Sequence, residues 1–401
     1  MINSIELFCG AGGLALGFHK AGFEPKALIE WDKDSCNTIT SNIARGFPGI
    51  GDWNVAQTDV RHVRYSDYGS DIQFVTGGPP CQPFSLGGKH KAHADARDMF
   101  PEAVRAVREL RPIGFVFENV RGLLRKSFCS YFDYIILRLS HPEITAKADM
   151  DWSDHLRLLE EYHTSGSRSG LEYNVVFRLL NAADYGVPQI RHRVVIVGFR
   201  NDFDAGWSFP EPTHSRDELL KAKHSDGSYW EEHNIPNNLR NGASAQITQP
   251  MLQLEIPFEK KERWQTVRDA IKGLPDPQSV MARVYMNHEF RKGARQYPGH
   301  SGSILDEPSK AIKAGVHGVP GGENMMVLDN GDLRYYTVRE SARIQTYPDD
   351  YYFCGSWTES MRQIGNAVPV KLAYKIADSI IKQLERTNII NAEGTTALRA
   401  V

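Results

Sequence analysis

The feature that most constrains the fold is "ELFCGAGGLALGF" at residues 6–18, where an apolar run meets Gly10, Gly12 and Gly13 and then turns to helical spacing. A strand that passes through glycines into a helix is the opening of an α/β unit, because missing side chains let backbone N–H groups gather at the positive helix end. The rest of residues 1–200 keeps that rhythm. Short β-rich runs at Ile5 to Phe8, Lys26 to Glu30, Ile72 to Thr76, Gly114 to Glu118, Tyr173 to Leu180 and Arg193 to Phe199 alternate with helix-length segments. A further weakly patterned strand ends near Asp59. Such alternation predicts an α/β fold with a mixed, mostly parallel sheet.

Helical spacing is clearest over Met99 to Leu110 and over Ser360 to Leu384. Residues 1–200 read as a first domain carrying a charged insertion at about 141–170, closed by "TSGSRSG". Over 201–335 the periodicity gives way to Pro, Gly, Asn and His, with Trp207, Trp230 and Trp264 spaced through it, which predicts a smaller, irregular second domain. Residues 336–386 restore globular patterning and are read as a return segment completing the first domain, with 387–401 a frayed tail. No apolar run reaches the ~20 residues that span a bilayer, and the chain enters its first strand almost at Met1, so a cytoplasmic protein without membrane contact is expected. Cys9, Cys36, Cys81, Cys129 and Cys354 show no CxxC or His-rich spacing, so neither a disulfide framework nor a metal site is expected. The net charge of −2 leaves any nucleic-acid footprint local.

Chemistry is foreshadowed at successive strand ends. "LIEWD" puts Glu30 about 20 residues beyond the glycines, where an acid accepts hydrogen bonds from a ribose diol. Trp31 beside it offers a face for a purine, and Asp59 ends the neighbouring strand. The alternative is that Glu30 and Asp59 are exposed loop acids and Trp31 a core residue. "GGPPCQPFS" sets Cys81 among prolines that fix their own φ and extend the residues before them. A stiff loop aims a thiolate nucleophile. "FVFENV" places Glu118 at the same carboxyl edge of the sheet, so the pair is either a thiol and a general acid facing one cleft or a coincidence of two loop residues.

The ordered motifs "ELFCGAGG", "EWD", "TDV", "GGPPCQPFS", "ENV", "NAADYGVPQIRHRVVIVG", "RESARIQTYPD" and "QIGNAVPVKLA" resemble those of the cytosine C5-specific DNA methyltransferases. The resemblance implies a Rossmann-like class I methyltransferase domain and a smaller target-recognition domain. It implies S-adenosyl-L-methionine as cofactor, leaving S-adenosyl-L-homocysteine, with no metal. Phe8, Gly10, Ala11 and Gly13 would approach its methionine part, Glu30 would hold the ribose, and Trp31 would stack on adenine. Asp59 and Val60 would border the ring, and Pro80, Asn366, Ala367 and Val368 would line the pocket. Cys81 would be the nucleophile and Glu118 the proton donor, with Arg191 and Arg193 the cations near a flipped cytosine. Ser85 and Arg97 would contact phosphate.

By the same resemblance the 201–335 segment reads double-stranded DNA, and it carries Arg283, Arg291, Lys292 and Arg295 with few acids opposing them. A solvated surface is the alternative for any one of these. The compact form looks like the bacterial or phage type, a monomer acting on nucleoid or phage DNA and often paired with a cognate restriction endonuclease. Competing readings are an RNA (tRNA) cytosine-5 methyltransferase on the same scaffold and a catalytically silent DNA-binding regulator. The long 201–335 segment argues against the first, and the intact Cys81 and Glu118 against the second.

Overall fold

The computed structural model describes residues 1–80, 98–147, 149–166, 170–203, 205–240, 261–296, 301–315 and 324–390. The chain divides into two compact units: residues 1–180, 192–210 and 350 onward form the first, and 181–191 with 211–349 form the second.

In the first unit, β1 (Ile2–Leu7), β2 (Phe23–Glu30), β3 (Val55–Gln57), β4 (Phe74–Gly77), β5 (Gly114–Val120), β6 (Tyr173–Asn181) and β7 (His192–Arg200) form one sheet in the order β3-β2-β1-β4-β5-β7-β6. β1 to β5 pair in parallel and β7 runs antiparallel to β5. The helices on this unit include α1 (Gly13–Ala21), α2 (Lys33–Ala44), α3 (Phe100–Leu110), α4 (Cys129–Ser140) and α5 (Trp152–Thr164). A sheet covered by helices buries both faces of its strands, and the central strands accordingly read as continuous apolar runs. Ile5, Leu7, Ala27, Ile29, Val75, Phe115 and Phe117 pack with α3 and α4 into one core. The expected insertion contains α5, which contributes Leu159 to that core.

The expected continuous helix over Ser360 to Leu384 is two helices, α10 (Trp357–Asn366) and α11 (Val370–Arg386). Ala367 is extended (φ −66°, ψ 149°) and Pro369, which has no N–H to donate, precedes the second helix. α11 lies against α1 so closely that a Cβ on Gly17 would sit 2.4 Å from the Ala373 Cβ and 2.6 Å from the Val370 carbonyl oxygen.

The second unit contains α6 (Arg216–His224), α7 (Ser228–Glu232), α8 (Val267–Ile271) and α9 (Val338–Ile344), with a small sheet from Ser303–Ile304, Met325–Val327 and Leu333–Tyr335. Its irregular sequence is held by polar links, most of them buried. Lys223 pairs with Glu307 at 2.8 Å, Tyr229 donates to Asp306 at 2.9 Å, and Arg334 meets Glu340 at 2.7 Å. Residues 181–191, assigned from sequence to the first domain, belong to this unit. Ile190 N–H donates to the Ser309 carbonyl and Ser309 N–H to that of Pro188, both at 2.9 Å. Residues 336–349 likewise group here, through Arg339 N–H to the Asn287 carbonyl and the Arg334 link to α9. The return to the first unit begins at Asp350.

Candidate cofactor and catalytic site

The sheet order reverses between β1 and β4: from β1 the chain winds outward through β2 to β3, and from β4 it winds the other way to β5. Loops leaving the carboxyl ends of the two strands diverge at such a point, and the crevice between them is where open α/β sheets bind ligands. The sequence-predicted residues of the first unit follow those strand ends.

After β1 the backbone turns through left-handed conformations at Phe8 (φ 56°), Gly10 (φ 53°) and Gly12 (φ 76°). Phe8 carries a Cβ and takes this conformation at a cost of order 1 kcal/mol, a local strain characteristic of ligand loops. At Gly12 a Cβ would also come within 3.3 Å of the Tyr351 hydroxyl. That hydroxyl donates to the Ala11 carbonyl at 2.9 Å, so the return segment holds the glycine loop in place.

Glu30 ends β2 and is buried. Its carboxylate accepts from the amides of Gly10, Trp31 and Asp32, each at 2.9 Å, tying the glycine loop to the end of β2. Burial raises its pKa, opposed by those three amides. A carboxylate offers about four acceptor sites, so three occupied ones leave capacity for one more donor, such as a ribose hydroxyl. Trp31 is 71% exposed, which excludes the core reading and leaves its ring in solvent beside Glu30. Asp32 caps α2 through the Ser35 amide and pairs with Arg362 at 2.6 Å. Thr38 donates to Gln363 at 2.6 Å, so α10 fixes this turn as well.

Asp59 follows β3 and caps a short turn over Val60–His62. Its carboxylate is engaged by the Arg61 guanidinium, with Nε at 2.9 and 3.1 Å from its two oxygens, and is drawn down to about 2. Val60 is buried. Ala367 and Val368 are buried where α10 gives way to α11, and Asn366 is exposed at the end of α10.

On the other side of the crevice, Glu118 lies on β5 and Arg193 on β7, in diagonal register: Glu118 faces Val195 and Val120 faces Arg193. Their side chains meet at 2.5 Å with 12% and 13% of their surface exposed. Burial pulls the Arg193 pKa down and the Glu118 charge opposes it. Beside them, the Asn119 amide donates to the Pro79 carbonyl at 2.9 Å. A Cβ on Gly78 would sit 3.5 Å from Glu118 Oε2. The segment after β4 is therefore anchored against β5 at Pro79, and the Pro80 carbonyl, immediately before Cys81 in the sequence, accepts from the Met99 amide. Cys81, Ser85 and Arg97 lie outside the described residues.

In the second unit Arg191 is buried at 1% exposure and donates to the Ile312 carbonyl at 2.9 Å. Arg283, Arg291, Lys292 and Arg295 are exposed there. Glu232, His233 and Asp269 converge within 4.8 Å, but Arg263 pairs with both acids at 2.8 and 2.7 Å and supplies the cation itself. None of the described helices is long and apolar enough to cross a membrane.

Sequence reasoning missed Glu6, the acid between the apolar Ile5 and Leu7 of β1. It is 2% exposed, accepts from Thr76 on β4 at 3.4 Å and from the Ala15 amide of α1. α1 begins at an N-cap glycine with no side-chain cap and no acid in its first turn, so Glu6 serves its first turn from within the sheet. An acid inside a strand whose neighbours are apolar was the available signal. Tyr351, Arg362 and Asn119 were also missed, since their roles depend on pairings distant in sequence.

The sheet order, crevice and glycine loop define a Rossmann-like methyltransferase fold. The family model for C-5 cytosine-specific DNA methylase matches residues 2–142 and 154–382, and the chain belongs to that family. It is 31% identical over 390 residues to the Type II methyltransferase M.NgoMIV of Neisseria gonorrhoeae, covering 96% of this chain and 99% of that protein. To the Type II methyltransferase M.PspPI of Psychrobacter sp. (strain TA137) it is 30% identical over 382 residues, 95% of this chain and 79% of that protein. The crystal structure of S. pombe Dnmt2 methyltransferase superposes with a TM-score of 0.56 at 18% identity, covering 97% of this chain and all of that one.

Proposed function

We propose that this cytosine C5 methyltransferase acts on a specific sequence in duplex DNA and protects it within a restriction-modification system, as a monomer in a bacterial cytoplasm. The observation that carries the reading is the crevice at the sheet's reversal point. There a buried glutamate with spare acceptor capacity and an exposed tryptophan face one side, and the Glu118–Arg193 pair with the anchored Pro79 carbonyl lies on the other; Cys81, the nucleophile of this reading, follows Pro80 in the sequence. The relatives that share most of the chain are named Type II methyltransferases, which supports the restriction-modification role and a cognate endonuclease as partner.

Phe8, Gly10, Ala11 and Gly13 would hold the methionine part of S-adenosyl-L-methionine, Glu30 the ribose, and Trp31, Asp59 and Val60 the adenine, with Pro80, Asn366, Ala367 and Val368 closing the pocket. Bound there, it supplies the methyl group. The chain's own residues make cytosine able to accept it. Carbon 5 is too electron-poor to react unaided, so the Cys81 thiolate adds to carbon 6 while Glu118 delivers a proton to N3, converting the ring to an enamine. Once carbon 5 carries the methyl group, its proton passes to a water molecule as base, the bond from carbon 6 to the Cys81 sulfur breaks, and N3 returns its proton to Glu118, which restores the aromatic ring. Arg193 keeps the Glu118 carboxyl in place and would lend positive charge near the base. The cytosine must leave the stack, at a cost of a few kcal/mol that DNA contacts offset. Ser85, Arg97, Arg283, Arg291, Lys292 and Arg295 would supply part of those contacts.

The test is incubation of the purified protein and S-adenosyl-L-methionine with a random-sequence duplex library, followed by bisulfite mapping with Cys81→Ser as control. Protection confined to one short motif and absent from the variant is expected. No protection in any duplex context overturns the substrate reading.

A further inference from the structure

Soluble surfaces carry scattered apolar side chains, but a cluster on one short turn needs a reason. In the second unit, the turn Val280–Val284 exposes Val280 at 77%, Met281 at 64% and Val284 at 73% of their surfaces. Only Ala282 of this turn is buried, so one small residue seats it and three large apolar ones project from it. Arg283 stands exposed among them and, among the described residues, has no ion pair. Arg291, Lys292 and Arg295 are exposed a few residues further on.

The turn is built to stay put. Ser279, which begins it, accepts the Ala282 amide through its carbonyl at 3.2 Å, and Tyr285 N–H donates to Ala282 at 3.0 Å. His288 is 2% exposed and spans between the Thr337 hydroxyl at 2.9 Å and the Pro275 carbonyl at 2.8 Å, bracketing the segment from both sides. Beside the tip lies a hollow of about 380 Å³ lined by Pro277, Gln278, Tyr285, His288 and Phe290 among others. The Gln278 side chain at its edge has no hydrogen bond among the described residues.

Exposed apolar side chains around Arg283, followed along the chain by Arg291, Lys292 and Arg295 against the single exposed acid Glu289, match one partner. Phosphates flank a duplex groove and draw Arg and Lys, while the groove floor offers thymine methyl groups and base steps to apolar side chains. We infer that the Val280–Val284 turn enters a groove of the substrate duplex and that Val280, Met281 and Val284 determine part of the recognised sequence, while Arg283, Arg291, Lys292 and Arg295 hold the phosphates. The inference rests on the duplex-DNA reading above.

The two roles separate in one experiment. The random duplex library is methylated by the unsubstituted protein, by Met281→Ser/Val284→Ser and by Arg291→Ala/Lys292→Ala, each at two salt concentrations, with circular dichroism to confirm folding. The apolar variant is expected to lose about tenfold in discrimination at one position of the motif, with other positions and the salt dependence unchanged. The cationic variant is expected to methylate every site more slowly, with the motif intact and a shallower salt slope. An apolar variant that folds but keeps its discrimination within about twofold, or that loses all sites equally, overturns the assignment. Failure of the unsubstituted protein on every duplex instead overturns the substrate reading and the tip's role with it.

Discussion

Glu6→Gln should reverse its effect on stability with pH. Glu6 is enclosed in the sheet, and burial raises its carboxyl from an ordinary 4.5 to about 8, with Glu30 adding repulsion and the Ala15 and Thr76 bonds opposing. Because the folded pKa lies above the unfolded one, the folded protein keeps a proton that the unfolded chain has released. The stability this gives is complete below about pH 4.5 and is lost as pH rises through about 8. Each pH unit inside that window removes about 1.4 kcal/mol, roughly 3 kcal/mol by pH 7. Glutamine has no proton to lose, and its carbonyl can accept both bonds, but its NH₂ needs partners that a protonated carboxyl does not, a penalty of about 1–2 kcal/mol. The variant should therefore be less stable than the natural protein at pH 5 and more stable at pH 8, the difference moving by about 3 to 4 kcal/mol. Other titrating groups are common to both proteins and largely cancel. Urea midpoints of the pair from pH 5 to 8.5 measure this, and the infrared difference spectrum at pH 7 should show a protonated carboxyl band that the variant lacks. A stability difference that stays flat across the range, with no such band, would refute the reasoning.

Two further outcomes follow from packing and exposure. Gly17→Ala would gain up to about 1 kcal/mol of helix propensity, yet its Cβ would meet Ala373 at 2.4 Å and the Val370 carbonyl oxygen at 2.6 Å. Backbone atoms cannot step aside singly, so the variant should lose about 1–3 kcal/mol net as α11 is displaced from α1; thermal unfolding checks the sign, and a raised midpoint would contradict it. Trp31→Ala removes a ring that is 71% exposed, so stability should change by less than about 0.5 kcal/mol. Affinity for S-adenosyl-L-methionine should fall about 5- to 150-fold through lost stacking on adenine, and calorimetric titration showing unchanged affinity would remove Trp31 from the site.

What could be read from the sequence is what local chemistry and strand ends determine. Glycines at a strand-to-helix turn, an acid at the end of β2 and another on β5 are legible because a parallel sheet brings its carboxyl ends to one edge whatever the side chains elsewhere do. The helix over 360–384 failed because apolar spacing is blind to Pro369, whose missing N–H ends one helix before the next begins. The placement of 181–191 failed for a different reason: its hydrogen bonds run to Ser309 and Ile312, more than a hundred residues away, and no local pattern encodes such pairing. Glu6 shows the third limit. Its residue type was visible, but its role comes from enclosure between Thr76 and the Ala15 amide, and enclosure is a property of the folded sheet. The same holds for the Val280–Val284 tip: nothing in "SVMARV" itself says that the fold leaves three of its apolar side chains outside. Residues that contradict their own pattern, a buried acid or an exposed aliphatic cluster, are thus where the structure adds most to the sequence, because each needs a compensating partner that the fold or a ligand must supply.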